Sequence, residues 1–194
     1  LVKSGFHSRN RENKQSTDFS FTRFLVPFLM NYEGWAIFLD CDMLCKTDIK
    51  NLWDQRDEDY ALLCVKHEHI PNESKKFLGE IQSAYPKKNW SSLMLMNCKR
   101  CKALTKEYVN TASGLDLHRF NWLKDDSEIG SIKGYGWNYL IEVSNQNEEE
   151  NNIEKIELMH WTLGGPWFKD QRNINDKFTK EWFKSRDEMI ELWD

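Results

Sequence analysis

Two aspartates stand one residue apart at the end of an apolar run: Trp35 to Leu39 leads directly into Asp40-Cys41-Asp42. Two carboxylates brought together at a strand end repel each other and lose hydration. A hard divalent cation reverses that cost, because Mg²⁺ and Mn²⁺ take oxygen ligands and share them with substrate phosphates. The pattern therefore points to a metal–diphosphate site. The plainer reading is a turn, with Asp48 capping a short helix over Ile49 to Trp53, and Asp-x-Asp alone arises often by chance. His160 adds to the first reading. It ends a second apolar run, in the string LMHWTLGGPWF from Leu158 to Phe168. Gly164 and Gly165 then allow close backbone approach to a ligand and exposed N–H groups. A lone histidine there is more often a core residue before a tight turn, but beside Asp40 and Asp42 it makes a third metal ligand.

The elements that must position these groups are legible as patterns. Trp35 to Leu39, Ala61 to Val65 and Leu93 to Met96 are short continuous apolar runs, which predicts central strands buried on both faces. Ile156 to Thr162 predicts a late strand. Thr17 or Asp18 can cap a helix carrying Phe21, Phe24, Leu25, Phe28 and Leu29. Pro27 inside it requires a kink or two short pieces. Ala103 to Val109 and the amphipathic tail from Asp176 to Trp193 also predict helices, and Cys98-Lys-Arg-Cys101 reads as a strand end turning into a helix rather than as half a zinc site. Strands alternating with helices predict an α/β domain with a mixed, mostly parallel sheet flanked by helices. Ligands of such sheets bind beyond the carboxyl ends of strands, where Asp40 and Asp42 fall.

Composition narrows the classes. The chain has 194 residues, 40% apolar and 30% charged, with a net charge of −4, which fits a globular domain and gives no support to nucleic-acid binding by a cationic face. No apolar stretch is long enough to cross a bilayer. Five cysteines without disulfide-scaffold spacing predict a reducing compartment, hence a cytoplasmic protein, with peripheral membrane attachment as the alternative. Nine tryptophans serve a core or line a site for ring-shaped ligands. The run Glu148 to Glu150 reads as a solvated loop.

Four strings in order, FTRFLVPFL, FLDCDMLCKTDI, NWSSLMLMNC and MHWTLGGPW, resemble the retaining nucleotide-sugar glycosyltransferases, and more narrowly bacterial relatives of glycosyltransferase family 8, the family of glycogenin and the lipopolysaccharide galactosyltransferases. The likeness runs from Ser16 to Phe168. It implies a single GT-A domain over 1–194, and a metal-dependent hexosyltransferase that moves a hexose from a nucleoside diphosphate sugar, a UDP-sugar first, to a hydroxyl of a glycan or other acceptor, with retention. Manganese, or magnesium, would be held by Asp40, Asp42 and His160, in the service of polysaccharide biosynthesis. Arg23 matches the family's donor-side helix cation; its plainer reading is a surface or capping charge. Asn89, Ser91 and Ser92 match the strand facing the donor sugar, with the register open between the amide and the two hydroxyls, and Asn89 equally reads as a turn. Gly164 and Gly165 would approach the diphosphate. Trp137-Asn138 resembles a run near the acceptor side, where a core tryptophan is the commoner case.

Two departures stand out. The family's late lysine before Pro-Trp is replaced by Gly165, with Lys169 the nearest other cation. The base-binding first strand would need more residues than Leu1 to Gln15 provide, so the resemblance implies an N-terminally incomplete domain. No nucleophile is named by any motif; Asp116, Asp125 and Asp126 read as solvated carboxylates. The competing functions are a sugar nucleotidyltransferase and a non-catalytic sugar-binding remnant.

Overall fold

The computed structural model describes residues 5, 8–9, 20–67, 87–134, 136–141, 152–171 and 176–193. The capping residues Thr17 and Asp18 and the run Glu148 to Glu150 lie outside them. The described chain falls into two compact units, one formed by 20–39, 50–67 and 87–132, the other by 40–49, 133–141, 152–171 and 176–193.

The first unit is built on four strands: β1 (Trp35–Leu39), β3 (Leu62–Cys64), β4 (Leu93–Asn97) and β5 (Ile129–Ser131), in the order β1-β4-β3-β5. β4 runs antiparallel to both β1 and β3, and β3 pairs parallel with β5. Three strands therefore point one way and β4 alone opposes them. The expected preponderance of parallel strands holds for direction but not for pairing, because the one reversed strand is inserted between two of the others. β4 is buried at all five positions, as a strand paired on both edges should be. β1 differs from expectation. It has the predicted limits, but Trp35 to Phe38 are only half-buried and Leu39 is exposed. In the described sheet it is an edge strand, whose apolar side chains lack a neighbour on one flank.

The helix before β1 is two short pieces. A 3-10 turn, Thr22–Leu25, runs into α1 (Val26–Leu29), and Pro27 sits in the first turn of α1. There its missing N–H costs nothing. Phe21, Phe24 and Leu25 are buried with Met94, Met96, Leu104, Leu117 and Phe120 in the core of this unit; Leu29 is exposed. α2 (Lys50–Trp53) anchors through Leu52, and α3 (Lys106–Thr111) and α4 (Gly114–His118) are capped by Thr105 and Ser113, whose side chains accept from Tyr108 N and Asp116 N. α3 is shorter and later than predicted because Thr105 supplies the cap. Cys98–Arg100 forms a 3-10 turn at the end of β4. Asp116 also bonds Asn121, and Asp125 accepts from Ser127 N, so these acids close turns.

The second unit carries a three-stranded sheet in the order β2-β7-β6, with β2 (Met43–Cys45), β6 (Tyr139–Leu140) and β7 (Leu158–His160). β2 and β7 are antiparallel, with Met43 opposite His160; β6 and β7 are parallel. Tyr139, Ile141, Ile156, Met159, Trp161 and Phe178 form its core. α5 (Lys177–Glu191) matches the predicted amphipathic tail and starts where Asp176 Oδ1 accepts from Phe178 N and Thr179 N at 2.7 and 2.8 Å. Among the described residues no helix is long and apolar enough to cross a membrane.

The Asp176 cap fastens the buried start of α5. Asp176→Ala is expected to lower the free energy of unfolding by about 1 kcal/mol, read as a shift in the urea midpoint with unchanged slope.

Candidate functional site

In the second unit the turn after β1 and the end of β7 meet. Asp40, Asp42 and His160 each offer a ligand atom, and these atoms lie within 4.8 Å of one another. The backbone sets the encounter. Trp161 N donates to Asp42 O at 3.0 Å, one step beyond the Met43–His160 pair, so the β2–β7 ladder continues past the strand ends. Three residues from two distant strings, grouped in the sequence as a candidate metal site, are thereby brought together.

His160 is almost wholly buried, and its Nδ1 lies 2.8 Å from Asn138 Oδ1. An amide oxygen only accepts, so Nδ1 carries the hydrogen. In the neutral imidazole the lone pair then sits on Nε2, which faces Asp42 Oδ1 at 3.2 Å. That carboxylate oxygen is shut off from solvent and has no hydrogen bond among the described residues. A nitrogen lone pair against an orphaned carboxylate oxygen is unfavourable unless a cation or proton lies between them. Ligands about 2.1 Å from an ion and at right angles to each other are ~3.0 Å apart, close to the observed 3.2 Å. Two carboxylates and one imidazole are also a donor set suited to a manganese- or magnesium-class ion. The residues fit such an ion.

Asn138 is the residue that the sequence reading placed elsewhere. Trp137 is core, 1% exposed, in keeping with its plainer reading, whereas Asn138 turns inward at φ 52° to hold the histidine. Its approach depends on Gly136, whose carbonyl accepts from Glu157 N and Leu158 N at 2.9 and 3.0 Å. A Cβ at Gly136 would lie 2.3 Å from Lys155 O. Only a bare backbone lets the strand enter here.

Gly164 and Gly165 lie in the turn that follows β7. Gly164 takes φ +101°, and its N–H is spent on Trp161 O within the turn. The space beside Gly165 is filled by Trp167, whose ring lies 2.3 Å from where a Cβ would be. Turn geometry and ring packing account for both glycines. Lys169 is exposed.

In the first unit Arg23 is buried, 8% exposed, which sets aside the surface-charge reading. Its Nη1 donates to Ser91 O at 2.9 Å, and its guanidinium lies 4.9 Å from the centre of the Phe38 ring. Asn89 adopts φ 64°, a left-handed conformation that asparagine tolerates well, and it opens the 3-10 turn Trp90–Ser92. Ser92 Oγ closes that turn onto Asn89 O at 2.6 Å. Ser91 Oγ lies 2.7 Å from His118 Nδ1. Burial first, and then the Arg23 charge, pull the His118 pKa down to about 3. No motif in the sequence singled out His118.

Comparison with known proteins gives a consistent result. The family model described as glycosyl transferase family 8 matches residues 3–171. "Protein CDI" of Arabidopsis thaliana is 45% identical over 190 residues, 97% of this chain and 71% of that protein. Among solved structures, an active-site mutant of LgtC is similar with a TM-score of 0.54 at 15% identity. The galactosyltransferase LgtC, in complex with donor and acceptor sugar analogs, gives 0.51 at 14%. Each of these two structural matches covers 90% of this chain and 70% of the other. These likenesses show a fold of the GT-A type.

The depressed His118 pKa has a signed consequence. The folded state keeps the ring neutral down to about 3, whereas the unfolded chain binds a proton below about 6.5. Its contribution is complete above pH 6.5 and is lost progressively as pH falls toward 3. His118→Phe is expected to show a shallower loss of stability between pH 6.5 and 5 than the parent, measured by urea denaturation at stepped pH.

Proposed function

The chain belongs to glycosyl transferase family 8, and from that premise we propose that it transfers a hexose from a nucleoside diphosphate sugar, a UDP-sugar first, to a hydroxyl of a glycan acceptor, with retention at the anomeric carbon. Donor and acceptor sugars as ligands are supported by the LgtC complex with analogs of both. Retention is carried by the family resemblance. The observation that carries metal dependence is the buried Asp42 Oδ1 aimed at His160 Nε2.

Asp40, Asp42 and His160 would hold Mn²⁺ or Mg²⁺. A bound dication supplies Lewis-acid charge against the departing diphosphate. The chain's own residues do the rest of the work at this centre. Asp40 and Asp42 bring two negative charges that match a dication. Asn138 holds the imidazole by its Nδ1 hydrogen and directs Nε2 at Asp42, as outer-shell partners of metal-binding histidines do. Trp161 N fixes the Asp42 backbone, so the carboxylate is preorganised. Arg23, Asn89, Ser91 and Ser92 are proposed as donor contacts on the strength of their match to the family's strings. A guanidinium buried against an aromatic ring suits phosphate or sugar oxygens.

Calorimetry with UDP and UDP-sugars, with and without Mn²⁺, followed by product analysis on a panel of nucleotide sugars, tests the reading. Metal-dependent nucleotide binding and release of hexose from at least one donor are expected. Binding of free sugar alone, indifferent to metal, would favour a non-catalytic remnant. Asp42→Asn and Asp40→Asn are each expected to cut metal-dependent turnover by about a hundredfold or more, with circular dichroism unchanged; parent-like turnover in either removes the metal reading. Asn138→Ala is expected to weaken Mn²⁺ affinity about 10- to 100-fold and to restore turnover as Mn²⁺ is raised.

A further inference from the structure

His118 is a histidine that the metal chemistry leaves unused. It closes α4 with its ring between Phe21 and Phe24, centroids 5.9 and 5.2 Å away. Its Nδ1 bonds Ser91 Oγ, and the carbonyl of that same serine receives the Arg23 guanidinium. One residue thus ties an imidazole to a guanidinium through two different atoms. Arg23 and Ser91 are 68 positions apart, and Ser91 and His118 are 27 apart, so tertiary folding alone creates the linkage.

We propose that His118 is a positioning residue: by gripping Ser91 it fixes the carbonyl that aims the Arg23 guanidinium at the phosphate or sugar oxygens of a nucleoside diphosphate sugar. This rests on the reading of Arg23 as a donor contact. The Trp90–Ser92 turn is held from within by the Ser92 bond to Asn89 O. Its other hydroxyl, on Ser91, is held from outside by His118. Without that outer grip the Ser91 peptide can rotate, and the acceptor for Arg23 Nη1 moves with it. A nucleophilic serine activated by histidine is the rival use of the same pair, and the chemistry disfavours it. A ring whose pKa lies near 3 is too weak a base to take a hydroxyl proton near neutrality. The same property suits positioning, since a ring that stays neutral keeps its hydrogen bond unchanged across the physiological range.

The two imidazole nitrogens give a test that packing loss alone cannot imitate. His118→Asn keeps a polar atom near Nδ1, His118→Gln places it near Nε2, and His118→Phe keeps the ring but no polar atom. With a UDP-sugar donor and Mn²⁺, His118→Phe and His118→Gln are expected to lose about ten- to a hundredfold in kcat/KM, and His118→Asn to stay within about threefold of the parent. In an Arg23→Ala background His118→Phe is expected to cost nothing further, because both changes remove one linkage. A folded His118→Phe protein with parental kcat/KM, or losses that multiply in full with Arg23→Ala, overturns the proposal. If the parent turns over no UDP-sugar, the proposed function fails, and NMR of the Arg23 guanidinium decides this inference by itself. Slow proton exchange in the parent that is lost in His118→Phe supports it; unchanged exchange overturns it.

Discussion

The second unit is organised around one frustrated contact. Asp42 Oδ1, closed off from water, faces His160 Nε2, which in the neutral imidazole is the nitrogen left without a hydrogen when Nδ1 donates to Asn138. Buried polar atoms are normally satisfied, because an unmade hydrogen bond in a dry place costs a few kcal/mol. The β2–β7 ladder forces the approach: Trp161 N binds the Asp42 carbonyl, so the turn cannot relax outward. In the proposed metal site, a cation between the two side chains would convert the conflict into coordination. The fold thus holds the groups where they are costly alone and useful with an ion.

The first unit treats its arginine in a related way. Arg23 is drawn inside, stacked on Phe38 and tied to a carbonyl rather than left to wander in solvent. Holding a long side chain in one rotamer forfeits conformational entropy, and the aromatic contact and the charge-assisted hydrogen bond offset that loss. A neutral His118 beside it avoids adding a second positive charge to the cluster. Both units therefore carry a polar group on a strand end or turn that a second residue holds in place.

Much of this was readable from local pattern. The limits of β1, the buried runs at β3 and β4, the late strand at His160 and the amphipathic α5 all follow from apolar periodicity. Pro27 foretold a broken helix, and two short pieces are found. The errors share a cause. β1 was expected to be buried on both faces, but strand order, which places it at the edge of the described sheet, is not written in its own five residues. Asn138 was read as acceptor-side and His118 stood in no motif, because each acts on a residue 22 or 27 positions away. Neither lies in a spacing that any helix or strand period would reveal.

Gly136 carries the last consequence. It touches neither aspartate nor imidazole, yet its missing methyl group is what lets the segment bearing Asn138 lie against the chain leading into β7, with Lys155 O 2.3 Å from the place a Cβ would occupy. Swelling that position by one carbon would tilt the amide off its imidazole and leave all three charged or ring-bearing partners chemically intact. On the proposed reading, affinity for a dication would thus be dialled from a residue with no side chain at all, and drift at this glycine would silence the centre while every recognisable signature of it survived.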